Sequence, residues 1–184
     1  MKIAIITDTH FGARNDNVNF NDYFYNFYEG QFFPFLQQNN IKNVIHLGDV
    51  MDRRKFVSYR IAKDFRERFL LPFSVLDINL HMLVGNHDIF FKNTNDVNSL
   101  QELVDGRYKT INLYSEAQEV TFDGLPILFM PWINSQNYIY AMGMIDETKA
   151  SILSAYLKSL LVTIPFNSLL STTGMPEIFS SVVS

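Results

Sequence analysis

Three short stretches each end an apolar run on side chains able to hold a cation or move a proton. Asp8 and His10 stand in ITDTH, Asp49 and Asp52 in GDVMDRRK, and Asn86, His87 and Asp88 in GNHD. In an extended segment, residues two apart point the same way, so Asp8 and His10 can reach one ion. Asp49 has two carboxylate oxygens and can bridge two ions, Asn86 adds a neutral oxygen, and His87 is a titratable imidazole. Mixed oxygen and nitrogen donors suit Mn²⁺, Fe or Zn²⁺ better than Ca²⁺. Two such ions, about 3.5–4 Å apart, stabilise the attacking and leaving oxygens of an in-line displacement at phosphorus. His87 could then protonate the leaving group, with Asp88 orienting its ring. Taken singly, each stretch has a plainer reading. Asp-x-His is a weak motif, Gly, Asn and Asp all favour turns, and Asp49 could be a cap or turn residue. The specific signal is the conjunction of all three in this order, each after an apolar run. His46 and His81 lie inside apolar runs and read as core or sheet-face histidines.

Strand ends must carry these residues. KIAII at residues 2–6 is short, rich in isoleucine and ended by a polar loop, which predicts a buried strand. Residues 43–47 and 79–84 read the same way. Phe20, Phe24, Phe27, Tyr28, Phe32 and Phe35 predict an amphipathic helix over 18–39, with Gly30 and Pro34 weakening its far end. Phe56, Tyr59, Ala62, Phe65 and Phe69 predict a second helix over 56–71. A short helix is expected at 95–104. Strands are expected at 110–113, 117–122 and 125–130, with Asp123-Gly124 as a hairpin turn. The order β-α-β-α-β predicts a parallel sheet with crossover helices, whose ligands sit beyond the carboxyl ends of the strands. Asp8, Asp49 and Asn86 all fall just past such ends.

The chain has 184 residues, one domain by length and enough for a real core. Its net charge of -4 argues against attraction of nucleic acid to the whole surface, but leaves room for a local basic groove. It has no cysteine, so neither a disulfide framework nor a thiolate metal site is available. MKIAIITDTH is not a signal peptide, because its apolar run is short and leads into Asp and His. The apolar stretch 152–170 contains Lys158, Pro165 and several Ser, and is a poor membrane span. A soluble cytoplasmic protein is the default. Residues 151–184 differ from the rest: only Lys158 and Glu177 are charged, against 32 charged residues in the first 150. A helix over 146–162 fits the pattern, and an irregular tail is expected after Pro165.

DTHFGAR, GDVMDRRK and VGNHDIFFKN resemble the first three motifs of the calcineurin-like metallophosphoesterases, and more finely those of SbcD-type nucleases, the nuclease subunits of recombination and double-strand-break repair complexes, including their phage versions. FDGLPILFMPW resembles the strand pair that follows. The resemblance covers residues 1–150 and implies a β-sandwich flanked by helices, four layers in the order α/β/β/α, incomplete at its C-terminal end. It implies that Asp8 and His10 bind one metal, Asp49 bridges, Asn86 binds the second, and His87 is the catalytic acid. Asp52 and Asp88 would support them from behind. The expected cofactor is a pair of divalent ions, Mn²⁺ first, with Fe, Zn²⁺ or Mg²⁺ as alternatives. Expected partners are DNA, an SbcC-type ATPase with a long coiled coil and a second copy of the chain, with no membrane. Such a protein encoded by a phage would work in the host cytoplasm. The family also supplies three later histidine ligands, in a Gly-His pair and a Gly-His-x-His. This sequence has four histidines and none after His87. The expectation is a nuclease core over 1–150, a divergent, truncated or frameshifted tail over 151–184, and partial metal occupancy.

Residues 53–68 hold seven of the 15 Lys and Arg. Arg53, Arg54 and Lys55 follow directly on the Asp49 loop and, with Arg14, are candidates for contact with a phosphate backbone. Further along, Arg60 with Asp64, Lys63 with Glu67 and Asp64 with Arg68 have the spacing of a solvated helix face. The leading function is a metal-dependent DNA nuclease. One competitor is a phosphatase or phosphodiesterase acting on a small phosphate ester. Another is an inactive, metal-deficient fragment.

Overall fold

A computed structural model describes residues 1–104, 106–148 and 150–155, with the strand backbones at 169–170 and 181–183. The chain begins with β1 (Ile3–Ile6), a four-residue turn α1 (Ala13–Asp16) and the helix α2 (Val18–Phe27). A π turn, Tyr28–Phe32, joins α2 to α3 (Phe33–Gln38). Then come β2 (Asn43–His46), α4 (Tyr59–Asp64), a second π turn at Phe65–Leu70, α5 (Leu71–Val75), β3 (Asn79–Leu83), α6 (Ser99–Val104) and β4 (Ile111–Tyr114). The remaining elements are β5 (Gln118–Phe122), β6 (Leu125–Met130), α7 (Tyr138–Glu147), β7 (Ser151–Ser154), β8 (Leu169–Leu170) and β9 (Ser181–Val183).

Strands form two sheets, in the orders β4-β3-β2-β1-β9-β8 and β5-β6-β7. β1 to β4 run parallel, as the β-α-β-α-β order predicts, and β9 lies antiparallel to β1. Strand side chains alternate between faces, which divides the apolar residues into separate cores. Ala4, Ile6, Val44, Leu80 and Met82 face the helices and pack with Tyr25, Tyr28, Phe32, Phe65, Phe69 and Phe73. Ile3, Ile5, Ile45 and Leu83 face the other way, onto Phe122, Ile127 and Phe129 of the second sheet. Leu128 and Met130 point out of that sheet toward Ala141 on α7. Three cores between four layers give the α/β/β/α arrangement. β5 and β6 form the expected hairpin, with Asp123 and Gly124 both at positive φ (49° and 82°), as a type I′ turn requires.

Several expected elements shift. The helix expected over 56–71 starts at Tyr59 and runs on to Val75. Ser58 caps it, its Oγ accepting from the N–H of Ile61 at 3.4 Å. Phe56 and Tyr59 therefore lie off the buried stripe, 61% and 96% exposed, and Ile61 and Phe73 take their place beside Phe65 and Phe69. The short helix begins at Ser99 rather than 95, where Asn98 Oδ1 accepts from the N–H of Gln101 at 2.8 Å. A helix over 146–162 does not form in its described part. Helix α7 ends at Glu147, Thr148 turns extended, and Ser151–Ser154 pair in parallel with β6. The rest of that stretch, and most of the tail expected to be irregular, lie outside the described residues. No described helix is long and apolar enough to cross a membrane.

Candidate metal centre

Backbone contacts bring the three strand ends together before any side chain acts. Past β1 and β2 the chains continue side by side: the N–H of Asp8 donates to Gly48 O (3.1 Å), that of His10 to Asp49 O (3.1 Å) and that of Phe11 to Val50 O (2.8 Å). The turn after β3 closes on the turn after β2 through two glycines. A Cβ on Gly85 would sit 2.2 Å from Asp49 N, and one on Gly48, which is also at φ +95°, would sit 2.7 Å from Gly85 Cα. Only glycine permits that approach. Asp88 then ties the two turns. Its carboxylate is fully buried and accepts four backbone N–H groups at 2.9 Å each, from Asp49, Val50, Met51 and Gly85. Burial pushes the Asp88 carboxyl up to about 6, against the opposing pull of those N–H donors.

Asp88 therefore does not orient the His87 ring, as the sequence suggested, because both its oxygens are committed to main-chain donors. The ring is held instead by the Asp52 carbonyl, 2.7 Å from Nδ1. A carbonyl can only accept, so Nδ1 carries the hydrogen and Nε2 is the nitrogen left to exchange a proton. The His87 backbone N–H donates to Asp49 Oδ1 at 2.9 Å, and the His87 and His10 rings meet edge to face at 4.9 Å.

Asp8, His10 and Asp49 each offer a ligand atom within 4.8 Å of the others. All three stand at positive φ, 55°, 43° and 56°, in the left-handed region that Asp and His tolerate better than most residues. His10 Nε2 lies 3.6 Å from Asp8 Oδ1, and its Nδ1 is buried without a hydrogen-bond partner, 3.9 Å from Asp52 Oδ1. The Asp8 carboxylate holds the imidazole above its usual range, against burial, with help from Asp49 and Asp52. Asn86 faces Asp49. With its amide nitrogen turned inward it donates to both Asp49 oxygens at 3.1 Å. Turned the other way, it adds a third oxygen to the cluster, an arrangement that a cation stabilises. The donor set, carboxylates, imidazole and an amide oxygen around a buried orphan nitrogen, fits a first-row divalent ion.

The calcineurin-like phosphoesterase family pattern matches residues 1–165. The chain belongs to that family. It is also 29% identical over 151 residues to exonuclease subunit 1 of enterobacteria phage T4, an alignment that covers 82% of this chain and 44% of the relative. It thus spans less than half the length of that curated protein. Among solved structures, one described as a novel archaeal phosphodiesterase has a TM-score of 0.43 and 20% identity, covering 80% of this chain and 67% of that one. A protein of unknown function from Aquifex aeolicus has a TM-score of 0.36 and 17% identity, covering 79% and 70%.

The basic residues of this phosphoesterase are largely engaged. Arg54 Nε donates to the Asn86 carbonyl at 2.6 Å, so it braces the GNHD turn. Arg53 pairs with Asn15 Oδ1 (2.8 Å) and Asp16 Oδ1 (3.5 Å) and lies over the Phe56 ring at 4.9 Å. Lys55 Nζ is 5.8 Å from the Phe90 ring centre, and Arg14 lies 4.6 Å over the ring of Phe20. Arg60–Asp64 and Lys63–Glu67 form as the spacing predicts. Arg68 instead reaches across to Asp22 and Glu29, both at 2.7 Å, because a π turn intervenes and breaks the i,i+4 register with Asp64. His46 has a function that sequence reading missed. Its Nδ1 accepts from the N–H of Gly48 at 3.1 Å, which leaves Nε2–H for Thr9 Oγ1 at 3.0 Å. A neutral, buried His46 thus pins both the Asp8 and the Asp49 turns, and its place two residues before Gly48 was the available signal.

Proposed function

We propose that this chain is the nuclease part of an SbcD-type assembly that hydrolyses phosphodiester bonds in DNA with divalent ions, manganese first among them. The observation that carries the proposal is the convergence of Asp8, His10 and Asp49, with Asn86 and His87 both touching the Asp49 carboxylate. Asp8, His10, Asp49 and Asn86 would hold the ions. Divalent ions there supply Lewis acidity to a phosphoryl oxygen and a nucleophilic water at neutral pH. His87, with Nδ1 fixed on the Asp52 carbonyl, presents Nε2 to donate a proton to the departing oxygen. DNA as substrate, and a partner subunit, draw support from the likeness to a phage exonuclease subunit.

The test is a manganese titration by calorimetry, with a cleavage assay on linear DNA in Mn²⁺. The expected results are ion binding lost in Asp49→Ala, and cleavage reduced about 100-fold or more in His87→Ala. Cleavage unaffected by His87→Ala sinks the role of that residue. A second reading, a phosphoesterase fold with too few ligands to turn over, is favoured by one observation. His46 and His81 are both buried on other partners, which leaves His10 and His87 as the only histidines of the sequence at the site. Manganese binding without DNA cleavage would select it.

A further inference from the structure

A cleft of about 220 Å³ lies between the segment after Asp52 and the segment after Asp88, lined by Arg53, Arg54, Lys55, Phe56, Phe90 and Glu102 among others. It abuts the candidate metal centre, because Arg54 both lines it and donates to the Asn86 carbonyl. We infer that this cleft is a base-binding subsite that takes one unpaired nucleobase of a DNA strand end, between Phe56 and Phe90. The inference rests on DNA being the substrate.

Three observations carry it. First, Phe56 and Phe90 are large apolar side chains left 61% and 38% exposed on the lining of the cleft, Phe56 with the Arg53 guanidinium over its ring and Phe90 edge to face with Phe91 at 4.7 Å. Exposed rings beside a cationic path are how single-stranded nucleic acid is held without sequence readout, since every base has a π face. Second, the charges are sorted. Arg53, Arg54 and Lys55 line the cleft from the segment after Asp52, the first wall, and Glu102 lines it from α6. Arg53 is paired with Asp16, so the phosphate is drawn by Arg54 and Lys55, which are in no ion pair among the described residues; Glu102 repels it and instead accepts from the exocyclic amino group of a base. The strand is thereby oriented with its backbone toward Arg54 and the metal centre, and its base inward. Third, both walls extend from the strand ends that carry Asp49 and Asn86. A base seated there places the adjoining phosphodiester beside those residues. A paired base cannot enter, so the cleft selects a frayed or single-stranded end.

The test is binding of a short single strand carrying 2-aminopurine near one end, measured in EDTA by fluorescence anisotropy and by 2-aminopurine emission. Stacking quenches that emission, so binding to the unmodified chain should dim it. Phe56→Ala and Phe90→Leu should each weaken binding about 10-fold, the loss of one base–aromatic stack, and restore the emission. Phe56→Tyr should retain both signals. Phe90→Leu keeps apolar bulk and removes only the flat face, and the melting temperatures of all variants check the fold. Tyr59→Ala, which removes a ring outside the cleft, should bind as the unmodified chain does. Undiminished binding and quenching in both Phe variants overturns the inference, as does a loss in Tyr59→Ala equal to theirs, or no binding of single strands at all. Because no metal is present, these outcomes stand apart from manganese-dependent cleavage. Cleavage can fail with the subsite intact, and the subsite can fail with cleavage intact.

Discussion

Gly85 has the least room of the described glycines. A methyl group there would lie 2.3 Å from Asp49 Oδ1 as well as against the Asp49 backbone nitrogen. Gly85→Ala should therefore do two separable things. It should cost about 1–3 kcal/mol of stability through overpacking, read by urea denaturation, and it should swing the Asp49 carboxylate away and abolish manganese binding in calorimetry. His81 sets a different kind of limit. It is buried in the core between the sheets, Nδ1 on Tyr114 Oη at 2.8 Å and Nε2 without a hydrogen-bond partner, and burial lowers its pKa from 6.5 to about 4. The unfolded chain takes up this proton first as pH falls. Stability from His81 is thus fully present above pH 6.5 and is lost as pH falls from 6.5 to 4, by about 3 kcal/mol. His81→Gln should flatten that part of the stability profile; an unchanged slope would show that other groups control it.

At the scale of elements, the two long helices share one irregularity. Each passes through a π turn and then a proline, Pro34 after Tyr28–Phe32 and Pro72 after Phe65–Leu70. Proline lacks an N–H and crowds the carbonyl four residues back. The ladder widens just before it, the N–H of Phe33 reaching Tyr28 O and that of Leu71 reaching Arg66 O. Arg68 joins the two helical stretches, bound to Asp22 and Glu29 and lying 4.5 Å over the ring of Tyr25. Arg68→Met should destabilise by about 1 kcal/mol at low ionic strength and by less in high salt, seen as converging melting temperatures. A 3.6-residue template drifts through a π turn, which is why Phe33 escaped the predicted stripe; Tyr25 sits one residue off the Phe20–Phe24 stripe and Phe73 lies beyond the predicted helix end at 71, although each is buried. The first six strands were legible to within a residue or two, because runs such as Ile3–Ile6 and Leu125–Met130 are apolar and bounded by turns, whereas β7 to β9 were not, β7 lying inside a stretch that reads as helix. The gathering of Asp8, His10 and Asp49 was legible from strand ends alone. Asp88 was named, but not as the anchor of four main-chain donors, since such donors leave no trace in side-chain identity.

For the whole molecule, a bound ion should add to stability by mass action. Manganese at about 100 times its dissociation constant contributes about 2.7 kcal/mol, so the melting temperature should rise with added metal and return with EDTA. No shift would place the site below useful affinity. The Asp88 anchor has a wider consequence. Because it holds peptide groups rather than side chains, it fixes the path of residues 49–51 against Gly85 for any residue 49 that tolerates positive φ. Drift at the ligands can erase the chemistry while the scaffold endures, and the same scaffold is open to having a new metal preference written onto it one residue at a time.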